Sequence, residues 1–201
     1  MNRNVTRGHG ALERLLARLR ARTANRLIPG ERRSGRILDI GCGTTPFFLE
    51  NTRFAERYGL DKVVDDHSIE FYRGRGITLV RHDVEAEDSL PFPPEHFDVV
   101  TMLAVFEHVE PDRLLPLLAE IHRVLKPGGV YILTTPTPWA DPVLRVMAKV
   151  GLVSRVEIEE HKDAYTHETI ADLLRQAGFP PDKIRLGYFE FFMNTWGAAT
   201  K

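Results

Sequence analysis

The chain has 201 residues, of which 43% are hydrophobic and 27% are charged, values typical of one globular domain with a sizeable core. Its single cysteine, Cys42, excludes an intramolecular disulfide and a zinc ion held by a cysteine cluster. No apolar run approaches the roughly 20 residues needed to cross a bilayer, and the N-terminal stretch does not resemble a secretory signal. We therefore expect a cytoplasmic protein.

The net charge of −1 conceals a strong asymmetry along the chain. Residues 1–36 hold ten arginines and two glutamates, a net charge of +8, so the remainder carries −9. Leucines near helical spacing predict that residues 1–34 form a basic amphipathic helix packed on the body with its arginines in water. Three other roles stay open for this helix, namely binding to RNA, binding to an anionic membrane surface, and acting as a lid over a substrate.

Strands and helices alternate through the first half of the chain. "RILDI", residues 36–40, predicts a buried strand that runs into a Gly-Cys-Gly loop. Residues 46–58 then predict a helix opened by proline, and "RYGLD" predicts a short strand ending at Asp61. A short helix closed by glycine follows over residues 65–76, and a strand over residues 77–84.

The alternation continues through the second half. The pattern predicts a strand in "FDVVTMLA", a helix in "PDRLLPLLAEIHRVL" stopped by "KPGG", a strand in "VYILTTP", and a helix over residues 166–179. No helix follows for a crossover, so residues 183–201 predict two adjacent strands, at least one of them antiparallel. The fold class is therefore α/β, with a doubly wound and mostly parallel sheet covered on both faces.

Acidic residues stand at the ends of three predicted strands, as Asp39, Asp61 and Asp83. In open sheets of this kind the ligand lies at the carboxyl ends of the strands. Carboxylates disfavour a phosphate ligand, and the absence of a Gly-Lys-Ser/Thr sequence excludes a P-loop. The ligand should therefore be cationic or rich in hydroxyl groups.

Five segments in order, "ILDIGCGTTPF", "YGLD", "RHDVE", "FDVVTMLAVFEHV" and "RVLKPGGVYILTTP", resemble class I S-adenosylmethionine-dependent methyltransferases. The similarity is greatest to the small bacterial type 11 group and covers roughly residues 35–190, within a predicted catalytic domain of residues 35–201. It implies a Rossmann-like sheet of seven strands with an antiparallel last strand, and S-adenosylmethionine as the cofactor.

The resemblance also assigns the methionine end and the ribose of the cofactor. Asp39, Gly41 and Gly43 match the motif that holds the methionine portion, and Cys42 lies between the two glycines. Asp61 matches the acid that accepts the ribose hydroxyls. One departure from the family pattern is Thr45, which stands where a third glycine is common.

The adenine and the methyl group have further candidates. Asp83 matches the residue that accepts the adenine amino group, and the backbone of Val84 is expected to read the ring edge. Lys62, directly after the ribose acid, joins the predicted cofactor-binding set. Ala104, after the fourth strand, borders the methionine end.

Methyl transfer needs alignment of the acceptor and, for some acceptors, removal of a proton. The candidate acid–base residues are Glu107, His108 and His161, although Glu107 and His108 could equally serve to shape the pocket. The irregular segment 135–165 is expected to cover the acceptor site. The stretch from His161 to His167 matches no zinc motif, so no metal is expected.

The sequence does not fix the acceptor or the oligomeric state. A small molecule methylated at oxygen, nitrogen or carbon is favoured, and DNA is not expected because "MLAVFEHV" lacks an Asn-Pro-Pro-Tyr type motif. RNA or a membrane-borne lipid is the alternative acceptor. A protein that binds S-adenosylmethionine without catalysis also fits, whereas a dehydrogenase would want a glycine where Pro46 stands.

Overall fold

The computed structural model describes residues 11–140 and 165–201, which build one sheet of seven strands in the order β3-β2-β1-β4-β5-β7-β6. The strands are β1 Arg36–Ile40, β2 Glu56–Asp61, β3 Ile77–Arg81, β4 Phe97–Leu103, β5 Leu125–Pro136, β6 Ile184–Phe189 and β7 Asn194–Thr200. Strand β7 is antiparallel to both of its neighbours, and the other pairings are parallel. The predicted sheet with an antiparallel last strand is confirmed.

Helices cover both faces of this sheet. They are α1 Ala11–Leu27, α2 Phe47–Glu50, α3 Asp66–Arg73, α4 Pro111–Val124 and α5 His167–Gln176. One face buries apolar side chains of α1, α2 and α3, and the other those of α4 and α5. Burial on both faces explains why six of the seven residues of β4 are buried.

Two helix starts follow from capping residues in the sequence. The Asp65 carboxylate accepts a hydrogen bond from the backbone N–H of Ser68 at 2.7 Å, and the Thr166 hydroxyl accepts one from Thr169 at 3.2 Å. Gly178, two residues after the end of α5, has a φ of +103°, a left-handed value that favours glycine. The predicted start and stop of this helix are therefore confirmed.

The predicted helix over residues 46–58 is wrong beyond its first turn. Helix α2 ends at Glu50, and β2 begins at Glu56, where the Glu56 carboxylate pairs with the Arg36 guanidinium at 2.8 Å. Between Glu50 and Glu56 the chain must reach the start of β1, because Glu56 lies opposite Arg36 in the register of the sheet. These residues are therefore not available to extend α2. The strand predicted over residues 77–84 is also shorter and ends at Arg81.

The "KPGG" segment does not separate α4 from the next strand as predicted. Strand β5 starts at Leu125, directly after α4, and contains the segment as an irregularity in its pairing with β4. Gly128 has a φ of +72°, and its N–H donates to the carbonyl of Lys201 at 2.9 Å. The glycines therefore let one strand pair with the last residue of the chain.

The Arg33 guanidinium fastens the end of α1 to the body of the protein. It donates to the side-chain and backbone oxygens of Asn25, at 3.2 and 2.8 Å, and to the Thr52 hydroxyl at 3.2 Å. It also lies 5.7 Å from the centre of the Phe54 ring. The basic helix is therefore attached by a polar network as well as by its buried alanines, Ala21 and Ala24.

Replacing Arg33 by alanine should lower the free energy of unfolding by about 1–3 kcal/mol, because partly buried acceptors lose a charged donor. Urea unfolding of the full chain measures the change. Arg53→Ala, at the exposed arginine next to Thr52, is the matched control and should have little effect. Equal losses in the two variants would show that the Arg33 network contributes no specific stability.

Candidate active site

The loop after β1 crosses the end of β2 and is built on two glycines. The N–H groups of Gly41 and Cys42 both donate to the carbonyl of Leu60, at 2.7 and 3.3 Å. Gly41 and Gly43 have φ values of +77° and +66°. A Cβ atom on Gly41 would lie 2.2 Å from the Val105 side chain. Only glycine fits this position, so the backbone itself forms the surface of the loop.

The Asp61 carboxylate joins the loop after β1 to the turn after β2. One oxygen accepts a hydrogen bond from the N–H of Gly43 at 2.8 Å, and the other accepts one from Val63 at 3.1 Å. The acid predicted at the end of the second strand is therefore part of the frame that shapes the glycine loop. Sequence reasoning assigned it a ligand and missed this structural role.

Asp39 is a buried carboxyl group next to this loop. It is 5% exposed, and its carboxyl group accepts a hydrogen bond at 2.6 Å from the hydroxyl of Thr101, the residue opposite it on β4. Burial raises the pKa of Asp39 to about 7, repulsion from Asp61 adds to that rise, and Thr101 opposes it. A cation bound at this place would favour the ionised form.

Cys42 turns its thiol towards the sheet. The thiol lies over Gly59, where a Cβ atom would be 2.7 Å from the sulfur. Burial raises the pKa of the Cys42 thiol, and the nearby charges of Asp39 and Asp61 raise it further, so the thiol stays protonated at neutral pH. Cys42 therefore offers its backbone to the loop surface, and its sulfur fills space beneath the loop.

The turn after β3 is ordered by Asp83. Its carboxylate accepts a hydrogen bond from the N–H of Glu85 at 3.0 Å, and Lys62 bridges from β2 with its ammonium 3.1 Å from Glu85 and 3.9 Å from Asp83. Val84 is half-buried against the core on the α4 side of the sheet. The ends of β2 and β3 are thus held together by charged groups around this turn.

The chain leaves β4 through a left-handed residue, Ala104, with a φ of +56°. Its N–H donates to the carbonyl and the hydroxyl of Thr134, at 2.9 and 3.1 Å. The 3₁₀ helix Phe106–His108 follows. Glu107 is 3% exposed and accepts a hydrogen bond from the Thr135 hydroxyl at 3.1 Å, so it lies against the end of β5.

His108 is half-buried at the end of this 3₁₀ helix, and its N–H donates to the carbonyl of Val105 at 2.9 Å. His161 lies outside the described residues, as does most of the predicted cover of residues 135–165. The described start of that segment includes Trp139, whose indole N–H donates to the carbonyl of Phe192 at 2.9 Å.

The structure brings most of the predicted set to one edge of the sheet, at the carboxyl ends of β1, β2, β3 and β4. Sequence reasoning missed the threonines Thr101 and Thr134, which support Asp39 and Ala104. The available signal was a threonine inside an otherwise apolar strand, because a buried hydroxyl needs a partner. The buried acid and the open backbone of the loop fit a ligand that is cationic at one end, as the sulfonium and amino groups of S-adenosylmethionine are.

Residues 11–140 and 165–201 lack two kinds of feature. They contain no group of three or more histidine, cysteine or acidic side chains placed to hold a metal ion. No helix within them is long and apolar enough to cross a membrane.

Residues 9–183 match the protein family described as "Methyltransferase domain". A fatty-acid O-methyltransferase of Mycolicibacterium smegmatis is 33% identical over 117 residues, which cover 53% of this chain and 39% of that protein. The ubiquinone/menaquinone biosynthesis C-methyltransferase UbiE of Vibrio vulnificus is 28% identical over 178 residues, covering 75% of this chain and 66% of that protein. The match thus spans less than two thirds of the length of either relative.

The fold also matches solved structures. An S-adenosylmethionine-dependent methyltransferase from Mesorhizobium loti superimposes with a TM-score of 0.64, over 90% of this chain and 98% of that one, at 22% identity. This likeness supports the fold alone. Together with the family match over residues 9–183, the glycine loop and the acids at the strand ends, it leads to one conclusion. The chain belongs to the class I S-adenosylmethionine-dependent methyltransferase family.

Proposed function

We propose that this protein transfers the methyl group of S-adenosylmethionine to an oxygen, nitrogen or carbon atom of a small molecule with an apolar body. The observation that carries the proposal is the pairing of the glycine loop with two acids, the buried Asp39 and the loop-bound Asp61. A backbone surface beside negative charge suits a ligand that has a cationic end and hydroxyl groups.

Each acid has a proposed part in holding the cofactor. Asp39 stabilises the cationic methionine end, with Gly41, Cys42 and Gly43 offering their backbone beside it. Asp61 accepts the ribose hydroxyls, as the acid after the second strand does in dinucleotide sites.

The adenine end is proposed to lie at the turn after β3. Asp83 accepts the adenine amino group, the Val84 backbone meets the ring edge, and Lys62 keeps Asp83 in place. Ala104 borders the methionine end from the side of β4.

The cofactor supplies an activated methyl group on a sulfonium, so the protein has to align the acceptor, exclude water and take up a proton where the acceptor loses one. His108 is the proposed base for that proton, because an imidazole nitrogen can accept a proton and His108 ends the 3₁₀ helix that follows β4 at this edge of the sheet. Glu107, buried and bonded to Thr135, is proposed as a positioning residue that fixes the 3₁₀ helix carrying His108. His161, outside the described residues, stays a candidate.

The names of the two curated relatives support an acceptor with an apolar body, since one acts on fatty acids and the other in quinone biosynthesis. The test is formation of S-adenosylhomocysteine by the full chain with a panel of fatty acids, quinols, phenols and aliphatic amines. Turnover with one of these classes is expected. Turnover with RNA alone would contradict the proposal, and cofactor binding without turnover on any acceptor would favour a protein that only binds S-adenosylmethionine.

Asp61→Ala should weaken binding of S-adenosylhomocysteine by roughly ten- to a hundredfold, because charge-assisted hydrogen bonds to the ribose are lost. Isothermal titration calorimetry measures the affinity, and thermal unfolding checks that the variant is folded. Asp66→Ala removes an exposed acid from the same sheet edge and should bind as the parent does. If a folded Asp61→Ala protein keeps its affinity, Asp61 is not the ribose acid.

The pKa of Asp39 near 7 predicts a pH-dependent affinity. Binding of a cation requires the ionised carboxylate, so the affinity for S-adenosylmethionine should rise between pH 5.5 and 7, by up to about tenfold per pH unit. Titrations across this range measure the slope. Asp39→Asn should bind more weakly and lose most of the slope, whereas an equal slope in both proteins would assign it to another group.

The same pKa predicts how Asp39 affects the stability of the cofactor-free protein. Between about pH 4 and pH 7 the unfolded chain has released this proton and the folded chain retains it. The contribution of Asp39 to stability therefore falls as pH rises through this window. The midpoint of thermal unfolding of Asp39→Asn, relative to that of the parent protein, should therefore rise between pH 4 and pH 7. A difference in midpoint that does not change with pH would contradict the assignment.

His108→Gln should lower kcat by about 10²–10⁴-fold for an oxygen or nitrogen acceptor and leave the affinity for S-adenosylhomocysteine unchanged. Steady-state kinetics over a range of pH measure the effect. A His108→Gln enzyme that keeps the kcat and pH profile of the parent would leave His108 with a role in shaping the pocket only.

A further inference from the structure

The hairpin between β6 and β7 has an unusual backbone. Three consecutive residues that are not glycine, Glu190, Phe191 and Phe192, have φ values of +52°, +54° and +68°. Left-handed geometry costs an L-residue roughly 1–2 kcal/mol, and bulky side chains rarely adopt it. Such strain persists where the surrounding structure imposes it and is often associated with function.

This strained turn presents aromatic side chains to solvent. Phe191 is 97% exposed and Phe192 is 64% exposed, and Trp139 beside them is 50% exposed. With Tyr188, at 39%, they make up the aromatic tip, which holds four of the six exposed large apolar side chains among the described residues. Isolated apolar side chains on a surface need no explanation, but a cluster of this kind marks an interaction site.

The aromatic tip is held in place. The Tyr188 ring lies 5.5 Å from that of Trp139 and 5.6 Å from that of Phe192. The carbonyl of Phe192 accepts hydrogen bonds from the Trp139 indole at 2.9 Å and from the Thr137 hydroxyl at 3.0 Å. These contacts fix the strained turn, so the Phe191 ring is presented to solvent from a rigid base.

The topology places the aromatic tip at the edge of the sheet that carries the candidate active site. Strand β6 pairs antiparallel with β7, and β7 pairs antiparallel with β5, so β6 ends at the same edge as β1, β4 and β5. A surface that contacts the aromatic tip would therefore face the edge where the glycine loop lies.

Positive charge lies beside the aromatic tip. Burial raises the pKa of the Glu190 carboxyl, and the positive charge of Arg20, on α1, partly opposes that rise. Helix α1 packs against β7, the strand that follows the hairpin, and Arg18 and Arg22, one turn apart, are exposed on this helix. The sequence of α1 contains one acidic residue, Glu13, at the N-terminal end of the helix, whereas Arg26 lies in its last turn.

We propose that the aromatic tip docks on a membrane surface containing anionic lipids. Phe191 and Phe192 would enter the boundary between headgroups and acyl chains, Trp139 and Tyr188 would lie at headgroup level, and the α1 arginines would meet the lipid charges. This interaction surface goes beyond the proposed methyl transfer and does not depend on it.

The shape of this surface favours a membrane over RNA. Stacking platforms for single-stranded nucleic acid lie in positively charged grooves, whereas Phe191 projects from a hairpin turn.

The experiment is co-sedimentation of the full chain with phosphatidylcholine vesicles, with and without phosphatidylglycerol. The parent protein should bind the anionic vesicles. Replacing Phe191 and Phe192 together by asparagine should weaken binding by roughly tenfold or more, because apolar area no longer enters the lipid. Asparagine tolerates the left-handed geometry better than phenylalanine, so the thermal midpoint should be unchanged or higher.

Three matched variants sharpen this test. Phe191→Leu with Phe192→Leu keeps the apolar character and the strain, and should keep most of the vesicle binding. Arg18→Gln with Arg22→Gln should reduce the preference for anionic vesicles, while Arg53→Gln, at an exposed arginine outside α1, should not.

Several results would overturn the proposal. The parent protein could fail to bind anionic vesicles, or the asparagine variant could bind them as strongly as the parent does. The parent could also be a dimer that the asparagine substitutions dissociate, which would assign the surface to a second copy of the chain. RNA binding that the same variant abolishes would assign the surface to nucleic acid. Affinity for S-adenosylhomocysteine, measured on each variant, should not change, so failure of the docking surface is distinguishable from failure of the proposed function.

Discussion

The hydrogen bond from the Gly43 N–H to the Asp61 carboxylate, 2.8 Å long, is the constraint on which the arrangement of the site depends. It links the end of β1 to the end of β2, and the bonds from the loop to the Leu60 carbonyl strengthen the same link. The left-handed geometry of the two glycines exposes backbone where a side chain would otherwise stand. This one interaction therefore holds both the loop backbone proposed to contact the methionine end and the acid proposed to accept the ribose hydroxyls.

The burial of Asp39 lowers the stability of the cofactor-free protein when the carboxyl group is ionised. A carboxyl group at 5% exposure, next to a second acid, is supported by one hydroxyl from Thr101. Above pH 7 such a group lowers the stability of the free protein, because its charge is poorly compensated there. A cationic ligand would supply the missing compensation, which is why the burial of Asp39 points to binding.

The sequence allowed prediction of the features that depend on local pattern. The alternation of strands and helices gave the sheet, and the acids at the ends of three strands indicated the ligand edge. The length of α2 was not predictable, because it is set by the register of Glu56 opposite Arg36 across the sheet. The support of Asp39 by Thr101 likewise depends on which strands become neighbours.

The aromatic tip could not be predicted either. "YFEFFMN" contains no glycine and reads as continuous strand, and the turn exists because β6 and β7 pair on each side of it. Its left-handed phenylalanines become visible only in three dimensions. Membrane docking at this surface and a small acceptor with an apolar body are consistent proposals, since both place apolar chemistry at one edge of the sheet.

The most direct measurement is a crystal structure of the full chain grown with S-adenosylhomocysteine. We expect the ribose hydroxyls within hydrogen-bond distance of the Asp61 carboxylate, the adenine beside Asp83 and Val84, and the methionine end against Gly41 and Gly43. A nucleoside bound at another edge of the sheet, or a ribose that does not contact Asp61, would contradict it.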